Sequence, residues 1–159
     1  MNKELGIINK ERGFTLFIAL VVMGTLLLIT AGIASLATRQ ALISASNRES
    51  QHAFYAADTG IECALYWDVK NPTGISAFAT STSSNITCDG TPATVGGGGD
   101  SNPTSIFSFI LTPDPYCVAV AVTKVYISGV LRTTIESQGY NTCDLSNPRR
   151  VERAVRATY

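Results

Sequence analysis

Between Gly13 and Thr38 the chain carries no charged residue, and its apolar side chains follow one another without regular polar interruption. An apolar run longer than ~18 residues is a candidate membrane-crossing helix. From Arg39 to Gln51 the sequence turns polar and rich in Ala and Ser, with neither Pro nor Gly. The pattern then becomes amphipathic: Phe54, Ala57, Ile61, Ala64, Leu65 and Asp68 mark a stripe at helical spacing that is apolar until its last member. These segments predict one helix from about Phe14 to Val69. Gly24 and Gly32 are its weak points in the apolar half, and Asn71-Pro72 is a stop signal.

Residues 71–105 are rich in Gly, Ser, Thr, Asn and Pro, including Gly96 to Gly99, and are read as loop. Four β-rich stretches follow: Ile106–Leu111, Tyr116–Tyr126, Val130–Ser137 and Val151–Tyr159. Alternation is plain in Val118, Val120 and Val122, and again in Val151, Arg153 and Val155. A long helix against a small antiparallel sheet makes an α+β fold. The expected organisation is a leader (1–13), an apolar helix (14–37), its amphipathic continuation (38–70), a loop (71–105) and a sheet (106–159).

Charged residues make up 15% of the chain, against roughly 25% in an average soluble domain. Twelve basic and twelve acidic residues leave no net charge. The bulk of the protein therefore lacks the basic footprint of a nucleic-acid binder. Arg149, Arg150, Arg153 and Arg156 are the local exception. On alternating faces of a strand they read as solvated edges, so DNA stands only as a minor alternative partner. Cys63, Cys88, Cys117 and Cys143 are even in number and lack CxxC spacing, which points to two disulfides rather than a zinc site. That implies an oxidising compartment. Three pairings are open on spacing alone.

Lys3, Lys10 and Arg12 precede the apolar run, which favours a cytoplasmic N-terminus and export of everything after Ala37. A secretory signal peptide would have an apolar region of only ~7–15 residues. A plain signal anchor fits the length but leaves the head of the run unexplained. That head reads Lys10-Glu11-Arg12-Gly13-Phe14-Thr15-Leu16. It resembles the type IV prepilin signal, in which a short charged leader ends in Gly before the apolar helix. The stretch Ala53-Phe54-Tyr55-Ala56-Ala57-Asp58-Thr59-Gly60 is similar to the block just past the membrane in PilX-type proteins, with Asp58 where Glu is usual. The resemblance covers roughly residues 10 to 68.

The resemblance implies cleavage after Gly13 by a membrane-embedded prepilin peptidase and N-methylation of the new terminal residue, Phe14. It also implies a pilin-like fold and packing of the apolar helix against other pilin subunits. The further expected partners are membrane lipid and the inner-membrane assembly machinery. The family's usual Glu at the fifth mature position is Ile18 here. Within the resemblance, that replacement marks PilX-type minor pilins and K-type pseudopilins, both associated with the filament tip. A buried carboxylate is tolerated only beside a partner, so its loss suits a subunit that does not repeat along the fibre. Cys117 and Cys143 bracket two strands and a turn, similar to the disulfide-closed C-terminal region of many pilins. The preferred pairing is Cys117–Cys143 and Cys63–Cys88, the latter tying the loop to the helix. Closing a ~26-residue loop contributes about 3–4 kcal/mol in the chain-entropy model.

No nucleotide loop, metalloprotease or nucleophile-elbow motif is present, and Gly96–Gly99 lacks the Lys-Ser/Thr that a phosphate loop requires. His52, the single histidine, reads as a helix-surface residue rather than a base. No catalytic residue, metal site or cofactor is expected. The function expected is that of a minor, tip-located subunit of a type IV pilus, first in the cytoplasmic membrane and then on the cell surface. The alternatives are a type II secretion pseudopilin and an uncleaved, signal-anchored extracellular binding protein.

Overall fold

The computed structural model describes residues 8–72, 74–78, 84–99 and 103–159. Helix α1 spans Ile8–Val69 and is followed by strands β1 (Ser84–Cys88), β2 (Thr91–Gly97), β3 (Thr104–Ile110), β4 (Cys117–Ile127), β5 (Val130–Tyr140) and β6 (Glu152–Thr158). The first seven leader residues lie outside the described ones. The chain divides into two units, Met1–Ala45 and Ser46–Tyr159. The first holds the apolar part of α1; the second holds its amphipathic part and all six strands.

The strands follow one another in spatial order β1 to β6, each antiparallel to the next. Such a meander needs only local turns, which is what short turn-rich connections permit. The inner face of the sheet carries Phe107, Phe109, Val118, Val120, Val122 and Ile135, all buried. Ala53, Ala56, Ala57, Ile61 and Ala64 are the buried helix residues set against them. The expected stripe is thus shifted by one residue at its start, because Phe54 stays half exposed while Ala53 is wholly buried. Backbone proximity explains the preference for alanine. A methyl group added at Gly139 of β5 would strike the backbone of Ala53, Ala56 and Ala57. A larger side chain at those helix positions would push the layers apart.

The segment read as loop contains two strands. Ile86 and Cys88 on β1, and Ala93 and Val95 on β2, alternate with exposed or half-buried neighbours and complete the core beneath the helix. The turn between them is Asp89-Gly90, with φ of 49° and 73°. A two-residue turn with both angles positive matches the strand twist, and Asp-Gly is a favoured pair for it. Gly96 and Gly97, read as linker, pair with Ile106 and Ser105 of β3. That short ladder, continued by the Gly98 amide donating to the Thr104 carbonyl at 2.9 Å, joins β2 to β3.

Of the three cysteine pairings, the structure has Cys63–Cys88 and Cys117–Cys143, with Cα separations of 5.6 and 5.1 Å. The first joins α1 to β1, where the Trp67 indole also donates to the Thr87 carbonyl at 3.0 Å. The second joins the start of β4 to the loop that leads into β6.

Candidate functional site

The N-terminal unit is helical backbone from Ile8 onward and includes Gly13 and Phe14. From Phe14 to Ala37 every side chain is exposed. Phe14, Leu16, Phe17, Leu20, Met23, Leu27, Leu28 and Ile33 lie open on all sides of the cylinder rather than along one stripe. A helix that is apolar all round seeks an apolar surrounding, either lipid or other helices. Three of its threonine hydroxyls are satisfied locally. Thr25 donates to the Val22 carbonyl at 2.9 Å, Thr30 to Leu26 and Leu27 at 3.0 and 2.9 Å, and Thr38 to Ser35 at 2.9 Å. Such back-bonding keeps these three hydroxyls partnered when water is withdrawn. By length and composition the helix is apolar and long enough to cross a membrane. Ile18 sits in this segment, half exposed.

In the second unit, the polar residue that ends the helix stripe is held by three elements. The Asp68 side chain is only 3% exposed and forms an ion pair with Lys124 of β4 at 2.5 Å. The Tyr159 hydroxyl donates to the other carboxylate oxygen, Oδ2, at 2.5 Å, and Ser76 donates to Oδ1, the oxygen paired with Lys124. Burial alone would raise the Asp68 pKa. The hydrogen bonds from Lys124, Ser76 and Tyr159 outweigh it and hold the carboxyl below the ordinary 3.8. Burial raises the Tyr159 phenol well above 10.0, and the facing carboxylate adds to the effect. This cluster is structural: its charges are spent on one another.

A second polar knot lies at the start of the unit. The Asn141 side chain donates to Glu49 at 2.7 Å and to the Arg149 carbonyl at 3.0 Å, and accepts from the Val151 amide at 2.7 Å. It closes the disulfide loop onto the helix. The C-terminal arginines do not share one face. Arg150 lies over the Tyr140 ring at 3.7 Å, and Arg153 donates to Ser50 at 2.7 Å from the helix side of β6. Arg156 is in register with Glu136 on the opposite face. His52 is half buried and stacks on Tyr116, with ring centroids 5.0 Å apart and planes at 19°. Burial raises the Tyr116 phenol, and Asp114 and Glu49 add to the shift. The stack borders a hollow of about 280 Å³ that also touches Asp89 and Asp114. Among the described residues no cluster of His, Cys, Asp or Glu could hold a metal ion.

The chemistry legible in the N-terminal unit is therefore apolar association. Sequence reasoning missed the Asp68 cluster; its signal was a lone acid terminating an apolar stripe. Residues 12–62 match the family model described as PilX N-terminal. None of the curated proteins and none of the solved structures matches the chain. The match covers about a third of the chain, on an apolar helix that continues into an α+β domain, and makes that segment similar to the N-terminal part of PilX-type, type IV pilin-like proteins.

Proposed function

We propose that the protein is a minor, tip-located pilin that waits in the cytoplasmic membrane and enters the filament after leader removal. The observation that carries this reading is the PilX N-terminal match over residues 12–62, which spans both the Gly13–Phe14 junction and the apolar segment. Phe14–Ala37 anchors the subunit in lipid, with the sheet domain outside, and the same side chains later pack against other pilin helices. The exchange of lipid for helix neighbours costs little, since both surroundings are apolar. The prepilin peptidase cuts after Gly13, and Phe14 becomes the methylated terminus. Glycine loses about 1 kcal/mol of helix stability relative to alanine. Gly13 therefore makes α1 easier to unwind into an extended substrate strand at this junction than its non-glycine neighbours would. Ile18 spares a tip subunit an unpartnered charge among apolar helices.

Intact-mass measurement of the chain extracted from membranes tests the junction. The expected product starts at methylated Phe14. Gly13→Val is expected to leave the precursor starting at Met1, retained in the membrane and missing from sheared filaments. Full processing of that variant, or an untrimmed native chain, sinks the proposal. Deletion of the protein separates the two filament roles: lost surface fibres indicate a pilus, and lost exoprotein release with fibres intact indicates a secretion pseudopilus.

A further inference from the structure

The β4–β5 hairpin runs past the rest of the sheet. Pairing of β3 with β4 stops at Thr104–Thr123, and pairing of β5 with β6 stops at Thr134–Thr158. Only single-residue contacts extend slightly further, from Pro103 to the Lys124 amide and between Thr133 and Tyr159. From Val125 to Arg132 the two strands pair solely with each other among the described residues. The ribbon turns at Ser128-Gly129. An isolated two-stranded ribbon is marginal in water, and this one is apolar on both faces. Val125, Ile127 and Val130 point to one side; Tyr126 and Leu131 point to the other. All five are exposed, Tyr126 by 73%.

No charged residue occurs between Val125 and Leu131, while a cation stands at each root. Arg132 is exposed, and Lys124 is held by Asp68. We infer that this ribbon is a wedge for the interface of a lipid bilayer carrying anionic headgroups. A protein groove would have to clamp both faces and the turn at once, whereas acyl chains surround them without any matching shape. Arg132 then meets headgroup phosphates just behind the apolar tip. Residues 125 to 128 extend for about 10 Å at strand spacing, close to the ~5–10 Å depth of interfacial insertion. The outward amides and carbonyls of a two-stranded ribbon rule out deeper entry, because hydrocarbon offers them no partner.

The bilayer offered to the ribbon is a second one, separate from that which holds the apolar helix. Within the sheet-bearing unit the ribbon lies at the Asp68 end of the helix. The chain enters that unit at Ser46, roughly 33 Å away along the helix. Full-length protein reconstituted in phosphatidylcholine vesicles, mixed with acceptor vesicles containing phosphatidylserine and a nitroxide lipid, tests this. Expected are acceptor-dependent clustering and, in Tyr126→Trp, fluorescence quenching above the Trp67 baseline. The pair Ile127→Asp and Val130→Asp should cut clustering roughly tenfold or more, with both disulfides and the circular dichroism retained. Clustering that survives the aspartates, or a Tyr126→Trp signal that the nitroxide leaves unchanged, overturns the inference. Clustering of the protein-bearing vesicles without acceptors also overturns it and assigns the ribbon to a second copy of the chain.

Discussion

Asp68 lies in the last turn of α1, where the helix macrodipole disfavours a carboxylate. It is tolerated because Lys124, Ser76 and Tyr159 converge on it. Asp68→Asn removes the charge and strands Lys124, whose side chain is only 16% exposed. Breaking a fully buried pair costs about 3–5 kcal/mol; with Lys124 partly solvated, about 2–3 kcal/mol is expected, read as a lower urea midpoint. The pH dependence follows from the direction of each shift. Asp68 lies below 3.8 when folded, so its contribution is fully present above 3.8 and is lost as pH falls through the lower folded value. Tyr159 lies above 10.0 when folded, so its contribution is fully present below 10.0 and fades as pH rises towards the raised value. Asp68→Asn should flatten the acid limb of a stability–pH profile relative to the native chain. Two glycines make a second comparison. Gly139→Ala meets helix backbone, which cannot turn aside, and should cost about 2–3 kcal/mol. Gly60→Ala meets the side chains of Val118, Val120 and Ser137, and regains about 1 kcal/mol of helix propensity. Thermal unfolding should rank Gly139→Ala as the more damaging.

At the scale of elements, the β1–β2 hairpin is the most weakly integrated part of the sheet. Its short ladder to β3 runs through Gly96 and Gly97, and both carry no side chain to pack. Cys63–Cys88 and the Trp67–Thr87 hydrogen bond supply the connection to the helix instead. Replacing Cys63 and Cys88 by serine should destabilise the protein by about 2–4 kcal/mol. Hydrogen exchange should show the earliest opening in residues 84–97, while β4 and β5 keep their protection. Equal loss of protection across all six strands would contradict this reading. The α+β class and the later strands were legible because valines alternate along β4, and because Val151, Arg153 and Val155 alternate into β6. The hairpin was not, because the glycines and the Ser/Thr content of residues 71–105 masked a short alternation around Asp89-Gly90. Ile86, Cys88, Ala93 and Val95 were the whole of that signal.

For the whole molecule, one chain joins a helix that has no core of its own to a sheet domain that does. The proposed role uses both: one for anchoring and assembly, the other as the exported body. If Ile18 keeps the subunit at the tip, Ile18→Glu changes where it resides. A carboxylate in that segment costs about 2.5–3.5 kcal/mol in lipid unless a neighbour's terminal amine compensates. Immunogold labelling of filaments should then move from ends towards scattered shaft positions. Unchanged end labelling would separate tip location from residue 18.

The uncharged run after Gly13 and the helical spacing that follows it are properties of the sequence alone. Burial of apolar surface and backbone hydrogen bonding in lipid leave such a run few options but a helix, whatever surrounds it. Alternation likewise dictated that β4 and β6 be strands. Tertiary structure decided the remainder. Close approach at Gly139 selected Ala53 over Phe54 for the core, and spatial convergence gave Asp68 its partners. Chain-remote pairing also determined which cysteines meet and how far the β4–β5 hairpin extends beyond its neighbours. These are contacts between residues far apart in the chain, and no periodicity along the sequence encodes them.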